Sequence, residues 1–210
     1  MRQPKAAAIA GIAFGVILIG VLALLQSASP GSPGESGSWM TDHERRQAVS
    51  TALALIPFAG IAFLWFIAVV RSTLGHAQDR FFDTIFTASG LIFVAMLFAA
   101  AAVLMAALSL AGTSVQLDLA GAAAAWALAS ALLGSFGARM AAVFVLSVCT
   151  AVLRNGSLPR PLVLVGYATG LLLLCTPPLP RWAQLLFPLW VIAVSVQVLV
   201  RERSQTRASL

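Results

Sequence analysis

The sequence predicts an all-α fold: a polytopic transmembrane helical bundle of six spans with both termini cytoplasmic. Three observations lead there. The 210 residues are 60% apolar and only 10% charged, with a mean hydropathy of +0.95, far from soluble globular usage. Uncharged runs of about 20 residues recur, the length a helix needs to cross a hydrocarbon core of about 30 Å. The basic residues flank these runs unevenly, as topology determinants do. Seven acidic residues could not cover the same faces in a soluble domain. A net charge of +6 would suggest nucleic acid in a soluble chain. Here no basic patch with exposed aromatics accompanies it, and no nucleic-acid partner is expected.

The first element is an apolar run over Ala6–Gln26 behind the basic start Met1-Arg-Gln-Pro-Lys5. As a helix it measures about 31 Å, longer than the core of a cleaved signal. A retained anchor is therefore expected, although Gln26-Ser-Ala-Ser29 has the small residues of a cleavage site. Gly11 and Gly15 form a GxxxG, which permits close helix approach. Residues 27–47 form an extracytoplasmic loop, and its first part, Ser27–Ser38, is Gly/Ser/Pro-rich and reads as flexible. Thr41-Asp-His-Glu44 has the form of a capping box, with Thr41 as N-cap, ahead of a span over 48–70. Pro57 lies inside that span and predicts a kink.

Arg71 to Arg80 is a short polar connection. The third span covers 84–110 without a charge, and residues 111–118 form a loop. The fourth segment covers 119–153 and holds the lone charge Arg139 behind Gly134-Ser-Phe-Gly137, where a break near 134–138 is expected. After a turn over 155–161, a fifth span at 162–176 carries a second GxxxG, Gly166 and Gly170. Pro177-Pro-Leu-Pro180 and the interfacial pair Arg181-Trp182 lead to the sixth span, 183–200, which contains Pro188. A basic tail with Arg201, Arg203 and Arg207 follows.

Positive charge decides how often the long fourth segment crosses. With one crossing, Arg2, Lys5, Arg71, Arg80, Arg154, Arg160, Arg201, Arg203 and Arg207 share one side, against Arg45, Arg46 and Arg181 on the other. Nine against three is a clear bias toward a cytoplasmic first side. A hairpin crossing twice would give six against seven, no bias at all. One crossing then places Arg139 about 22 Å above Arg154, in the outer third of the bilayer. There it snorkels to the outer headgroups, or it faces a polar cavity if 119–137 folds back among the other helices. A partner would be a carbonyl, a lipid phosphate, water or an inward-folding Asp118.

The chemical inventory excludes most enzymes. Thr87-Ala-Ser-Gly90 and Gly134-Ser-Phe-Gly137 approach the Gly-x-Ser-Gly of rhomboid-type serine proteases, yet no histidine follows His76 to act as base. Cys149 and Cys175 fall near opposite membrane faces, which argues against a disulfide. His43 and His76 are isolated, so neither a metal site nor a cofactor is expected. The most polar cluster joins Asp79, Arg80 and Asp83 with Arg71 and His76 nearby. Arg80 and Asp83 stand i, i+3 and can pair, with Asp83 favoured in a first helical turn; a cytoplasmic gate or docking site is the functional alternative. Arg80-Phe-Phe-Asp83 departs in spacing, serine and position from the Arg-x-x-x-Phe-Ser-Asp signature of lysosomal-type potassium channels, so no pore residue is carried over.

Four stretches, Pro57-Phe-Ala-Gly-Ile-Ala-Phe-Leu-Trp-Phe66, Asp79-Arg-Phe-Phe82, Arg139-Met-Ala-Ala-Val-Phe144 and Phe187-Pro-Leu-Trp190, carry a further resemblance. Across about 48–200 the chain resembles a family of uncharacterised multi-pass membrane proteins of high-GC Gram-positive bacteria. The resemblance implies a helical membrane fold and a bacterial cytoplasmic membrane location, with no activity attached. The expectation is a non-enzymatic binding or accessory protein, packing with lipid, with copies of itself or with a partner membrane protein. The alternative is a small transporter or channel with Arg139 lining an anion-attracting cavity. Arg139, Arg80, Asp83 and Arg71 are the candidate functional or lipid-contact residues.

Overall fold

The computed structural model describes residues 3–29, 38–74, 80–110, 118–155, 159–175 and 181–208, and every regular element among them is helical. The order is α1 (Gln3–Ala28), a short α2 (Ser38–Thr41), α3 (His43–Leu74), α4 (Arg80–Leu110), α5 (Leu119–Ala131), a π segment (Leu132–Gly137), α6 (Ala138–Asn155), α7 (Arg160–Cys175), a 3-10 turn (Arg181–Leu185) and α8 (Leu186–Ala208). Five stretches are long and apolar enough to cross a membrane, and α7 is a shorter apolar helix. These helices are compatible with a multi-pass membrane protein.

Local chemistry sets the helix starts. Asp42 rather than Thr41 caps α3: its Oδ1 accepts the Glu44 N–H at 3.0 Å, its carbonyl accepts the Arg46 N–H, and Thr41 instead ends α2. An aspartate satisfies the orphan amides of a first turn and adds a negative charge at the positive end of the helix. Asp118 caps α5 in the same way, accepting the Gly121 N–H at 2.7 Å. Pro57 sits inside α3 without ending it. Pro188, expected within the sixth span, falls in the first turn of α8, just after the 3-10 turn.

The packing partners show how the long segments run. Phe14 lies against Phe63 while Gly11 lies against Phe66, so α1 and α3 are antiparallel. Gly60 meets Phe98 and Gly90 meets Ile67, which makes α3 and α4 antiparallel. The same logic holds for α4 with α6 (Gly90 to Phe144, Gly137 to Met96) and for α6 with α7 (Gly166 to Cys149, Gly170 to Leu146). Gly11 faces Ser195 and Gly15 faces Ile192, so α8 runs against α1. The chain thus passes up and down the bundle in alternation.

At the centre is a cluster of phenylalanines: Phe14 of α1, Phe63 and Phe66 of α3, Phe86 and Phe93 of α4, Phe144 of α6 and Phe187 of α8, all buried. Phe63 is its hub. Its ring centroid lies 4.4 Å from Phe14, 5.1 Å from Phe144, 5.4 Å from Phe93 and 5.7 Å from Phe187. Most of these contacts are tilted or edge-to-face, the geometry the ring quadrupole favours. The hydroxyls of Ser147 and Ser195 donate to the Val143 and Val191 carbonyls of their own helices, whereas the buried Thr87 hydroxyl has no hydrogen-bond partner among the described residues.

Both GxxxG motifs act inside the chain. Gly11 and Gly15 admit Ser195, Ile192 and the Pro188 carbonyl of α8; Gly166 and Gly170 admit Cys149 and Leu146 of α6, with Trp190 of α8 also against Gly166. Trp190 Nε1 reaches the Leu162 carbonyl at 3.4 Å. Close backbone approach is what such glycines provide, and here it is used internally. A partner helix would need another face.

Two outcomes follow. Replacing Phe63 by alanine should lower stability by about 2–3 kcal/mol, the cavity part of a buried Phe→Ala loss, because lipid offers no large transfer penalty. Phe58→Ala, at a residue 62% exposed, should change it by less than about 0.5 kcal/mol. Denaturant titration in detergent measures both. In the same assay Gly166→Ala should cost about 1–3 kcal/mol, since its Cβ would lie 2.6 Å from Trp190 Nε1. Gly20→Ala, with open space around it, should stabilise by up to about 1 kcal/mol through helix propensity.

Candidate functional site

The interruption expected near 134–138 is a π segment, and α5, the π segment and α6 form one uninterrupted helical stretch from Leu119 to Asn155. Opening the helix to i→i+5 bonds leaves a wider turn and an irregular set of carbonyls, a feature that recurs at functional sites. The Ala138 N–H bonds the Leu133 carbonyl in this register. Gly134 and Gly137 suit the crowding. A Cβ on Gly137 would lie 3.0 Å from the Leu132 carbonyl, and one on Gly134 would lie 3.0 Å from Gln184 Nε2.

Arg139 follows directly, half-buried. Its Nη1 donates to the Ser135 carbonyl at 3.0 Å, the oxygen that an α-helix would give to the Arg139 amide. Of the partners considered, a carbonyl one turn back is therefore the one found. Asp118 does not fold inward: it caps α5, some 31 Å along the helix from Arg139. The half of the segment before Gly137 packs against α4 and does not lie apart from the bundle. Gly137 faces Met96, near the middle of α4, so Arg139 stands near mid-height of the bundle.

At the end of the bundle shared by α3's C-terminus and α4's N-terminus, Arg71 Nη2 pairs with Asp83 Oδ2 at 2.7 Å. Asp83 thus pairs with a residue of the neighbouring helix, and the expected Arg80–Asp83 pair rests on a side chain outside the described residues. The Arg80 side chain, His76 and Asp79 lie outside the described residues, so the wider polar cluster is represented by this one pair. Arg71 is 58% and Asp83 27% exposed, and solvent screens such pairs.

A cavity lies at the opposite end. α1 continues about 20 Å past Gly15, whereas the chain facing it, from Pro188 back to Arg181, rises only about 14 Å. The start of α8 is therefore roughly one turn short of its neighbours. Above it opens a vestibule of about 260 Å³. Leu22, Leu25 and Gln26 of α1, Ser29 just past its end and Leu104 of α4 form one wall. Trp126, Ala129, Ser130 and Leu133 form the other, with Gln184 at the floor. Trp126 is held from behind by Trp39 of α2, fully buried, at a ring distance of 5.5 Å. A second cavity of about 30 Å³ lies deeper, against Phe93, Leu97, Ala138 and Phe187. It shares Leu22, Leu133 and Gln184 with the first, so Gln184 stands at the neck between them.

Arg139, Asp83 and Arg71 are not among the described residues that line either cavity. Ser89 donates to the Phe86 carbonyl at 3.1 Å, a structural bond within its helix. Among the described residues no group of His, Cys, Asp and Glu could hold a metal ion, and Cys149 and Cys175 are free thiols. Comparison with family models, curated proteins and solved structures finds no match. Gln26, Ser130 and Gln184 were the polar residues to notice in the sequence, each an uncharged hydrogen-bonding group beside or within an apolar run.

The Arg71–Asp83 pair should contribute little. A double-mutant cycle of Arg71→Gln and Asp83→Asn should give a coupling of about 1 kcal/mol or less. It should shrink further when the denaturant titration is repeated at 1 M salt.

Proposed function

We propose that this chain is an integral protein of a bacterial cytoplasmic membrane that crosses it six times, with both termini cytoplasmic, and acts by binding and not by catalysis. The observation that carries this reading is the vestibule: concave, mostly apolar, with a few convergent polar groups, the usual form of a small-ligand site. Its volume is just below the common range for such sites. The alternating run of the helices and the antiparallel pairing of α1 with α8 support the six-crossing topology, together with the nine-to-three distribution of basic residues. In that orientation the vestibule opens toward the outer face and the Arg71–Asp83 pair faces the cytoplasm.

Binding is favoured over passage. The cavities narrow from about 260 Å³ to about 30 Å³ and meet Phe93 and Phe187 of the central cluster. Arg139, whose guanidinium is engaged by the Ser135 carbonyl, lends no support to an anion pathway. Bilayer lipid and other membrane proteins remain the natural surroundings of the exposed apolar faces.

Orientation and access are tested together. In a Cys149→Ser/Cys175→Ser background, Ser130→Cys should react with a membrane-impermeant maleimide applied to spheroplasts, and Phe93→Cys should not. A reporter fused after Leu210 should read cytoplasmic. A periplasmic reporter signal, or Ser130→Cys labelling only after lysis, would overturn the orientation.

A further inference from the structure

On the binding reading above, the walls of the vestibule narrow what it can take. Among the described residues, its lining includes no Lys, Arg, Asp, Glu or His. A charged headgroup placed there would be desolvated without a partner, which costs several kcal/mol even after relaxation. The polar groups present are two carboxamides, two hydroxyls and an indole, from Gln26, Gln184, Ser29, Ser130 and Trp126. Carboxamides and hydroxyls both donate and accept, and indole donates. That set matches a hydroxyl or an amide and gives no preference to a carboxylate or a phosphate.

Size adds a second limit. At about 30 Å³ for a water-sized group, the vestibule holds roughly nine such groups and the deeper cavity about one more. The apolar walls, Leu22, Leu25, Leu104 and Leu133, suit an alkyl chain. Gln184 is the group best placed to read the head. It belongs to both cavities, its Nε2 lies against Gly134 of the π segment, and its amide carries no hydrogen bond among the described residues. The π turn matters here because Gly134 has no Cβ, leaving the space the amide occupies.

We infer that the vestibule binds an uncharged, medium-chain amphipath, with a hydroxyl or amide head and a chain of about eight carbons, and that Gln184 hydrogen-bonds its head. Discrimination against an anionic head of equal length comes from the lack of a countercharge among the described lining residues. Loss of the Gln184 contact weakens binding without abolishing it, because the chain still fills the leucine-lined space.

The experiment uses the full chain in phosphatidylcholine nanodiscs, with 8-bromooctan-1-ol and, at pH 8, 8-bromooctanoate as quenchers of tryptophan fluorescence. The alcohol should give saturable quenching that Trp126→Phe removes and that Leu133→Phe, which narrows both cavities, weakens. The carboxylate should bind at least about tenfold more weakly, and Gln184→Leu should weaken the alcohol by about tenfold, as for a lost buried hydrogen bond. If Gln184→Leu does not yield a monodisperse protein, Gly134→Ala serves instead. Its Cβ would stand 3.0 Å from Nε2 and displace the amide while keeping it. Equal affinity for both quenchers, or an unchanged affinity in the Gln184 and Gly134 variants, overturns the ligand class and the role of Gln184 while leaving a binding vestibule in place. Quenching that never saturates and ignores Leu133→Phe overturns the binding reading as well.

Discussion

The packing of Phe63 is the contact on which the bundle depends. Its ring touches phenylalanines from α1, α4, α6 and α8 as well as Phe66 of its own helix. In a bilayer, lipid tails are as apolar as leucine, so burial of apolar surface does little to hold helices together. Shape has to do more. Flat rings meeting edge to face bring the helices into fixed relative heights, and the glycines at 11, 15, 166 and 170 let the flanking backbones close around them. The register of the whole bundle follows from that pair of features.

That register also creates the vestibule. Phe187, the second residue of α8, has to reach Phe14, Phe63 and Phe93 at the centre. Anchoring so early a residue there pulls the start of α8 inward and leaves the space above Gln184 to be walled by α1 and α5. The same anchor accounts for Pro188, which is harmless in a first turn and would have been disruptive further along. On the facing side, the π segment lets the long stretch from Leu119 to Asn155 keep its hydrogen bonds while changing the faces that α5 and α6 present. Trp126 thereby turns toward the vestibule and Phe144 toward the phenylalanines.

Much of this was legible in the sequence because it rests on composition and period. The apolar runs placed the helices, and the glycine pairs marked the close approaches. What was not legible depended on relative height. Arg139 was placed by counting residues from Arg154, which assumes that the edge of the bilayer is known. Its level, two residues past the Gly137–Met96 approach, depends on how α4 and α6 slide past each other, which no local pattern encodes. The choice of Asp42 over Thr41 as cap is a competition between adjacent residues with similar preferences. The Arg71–Asp83 pair joins two helices, so helical spacing within one element could not reveal it. Gln184 gave only a weak signal, a single amide in an apolar stretch, and acquires meaning only beside Gly134.

Arg139 and the vestibule are connected by where charge is kept. A guanidinium near mid-height is costly unless its donors are satisfied, and here one is met by a carbonyl of the chain's own π turn. That contact lies one turn back along the same helix and meets one of the guanidinium's five N–H donors. A counter-charge supplied by α1, α4 or the start of α8 would have stood close to the space above Gln184 and would have made it a site for ions. The described residues around that space are amides, hydroxyls, an indole and hydrocarbon. The residue that first suggested an anion pathway is thus placed so that the neighbouring cavity can remain neutral.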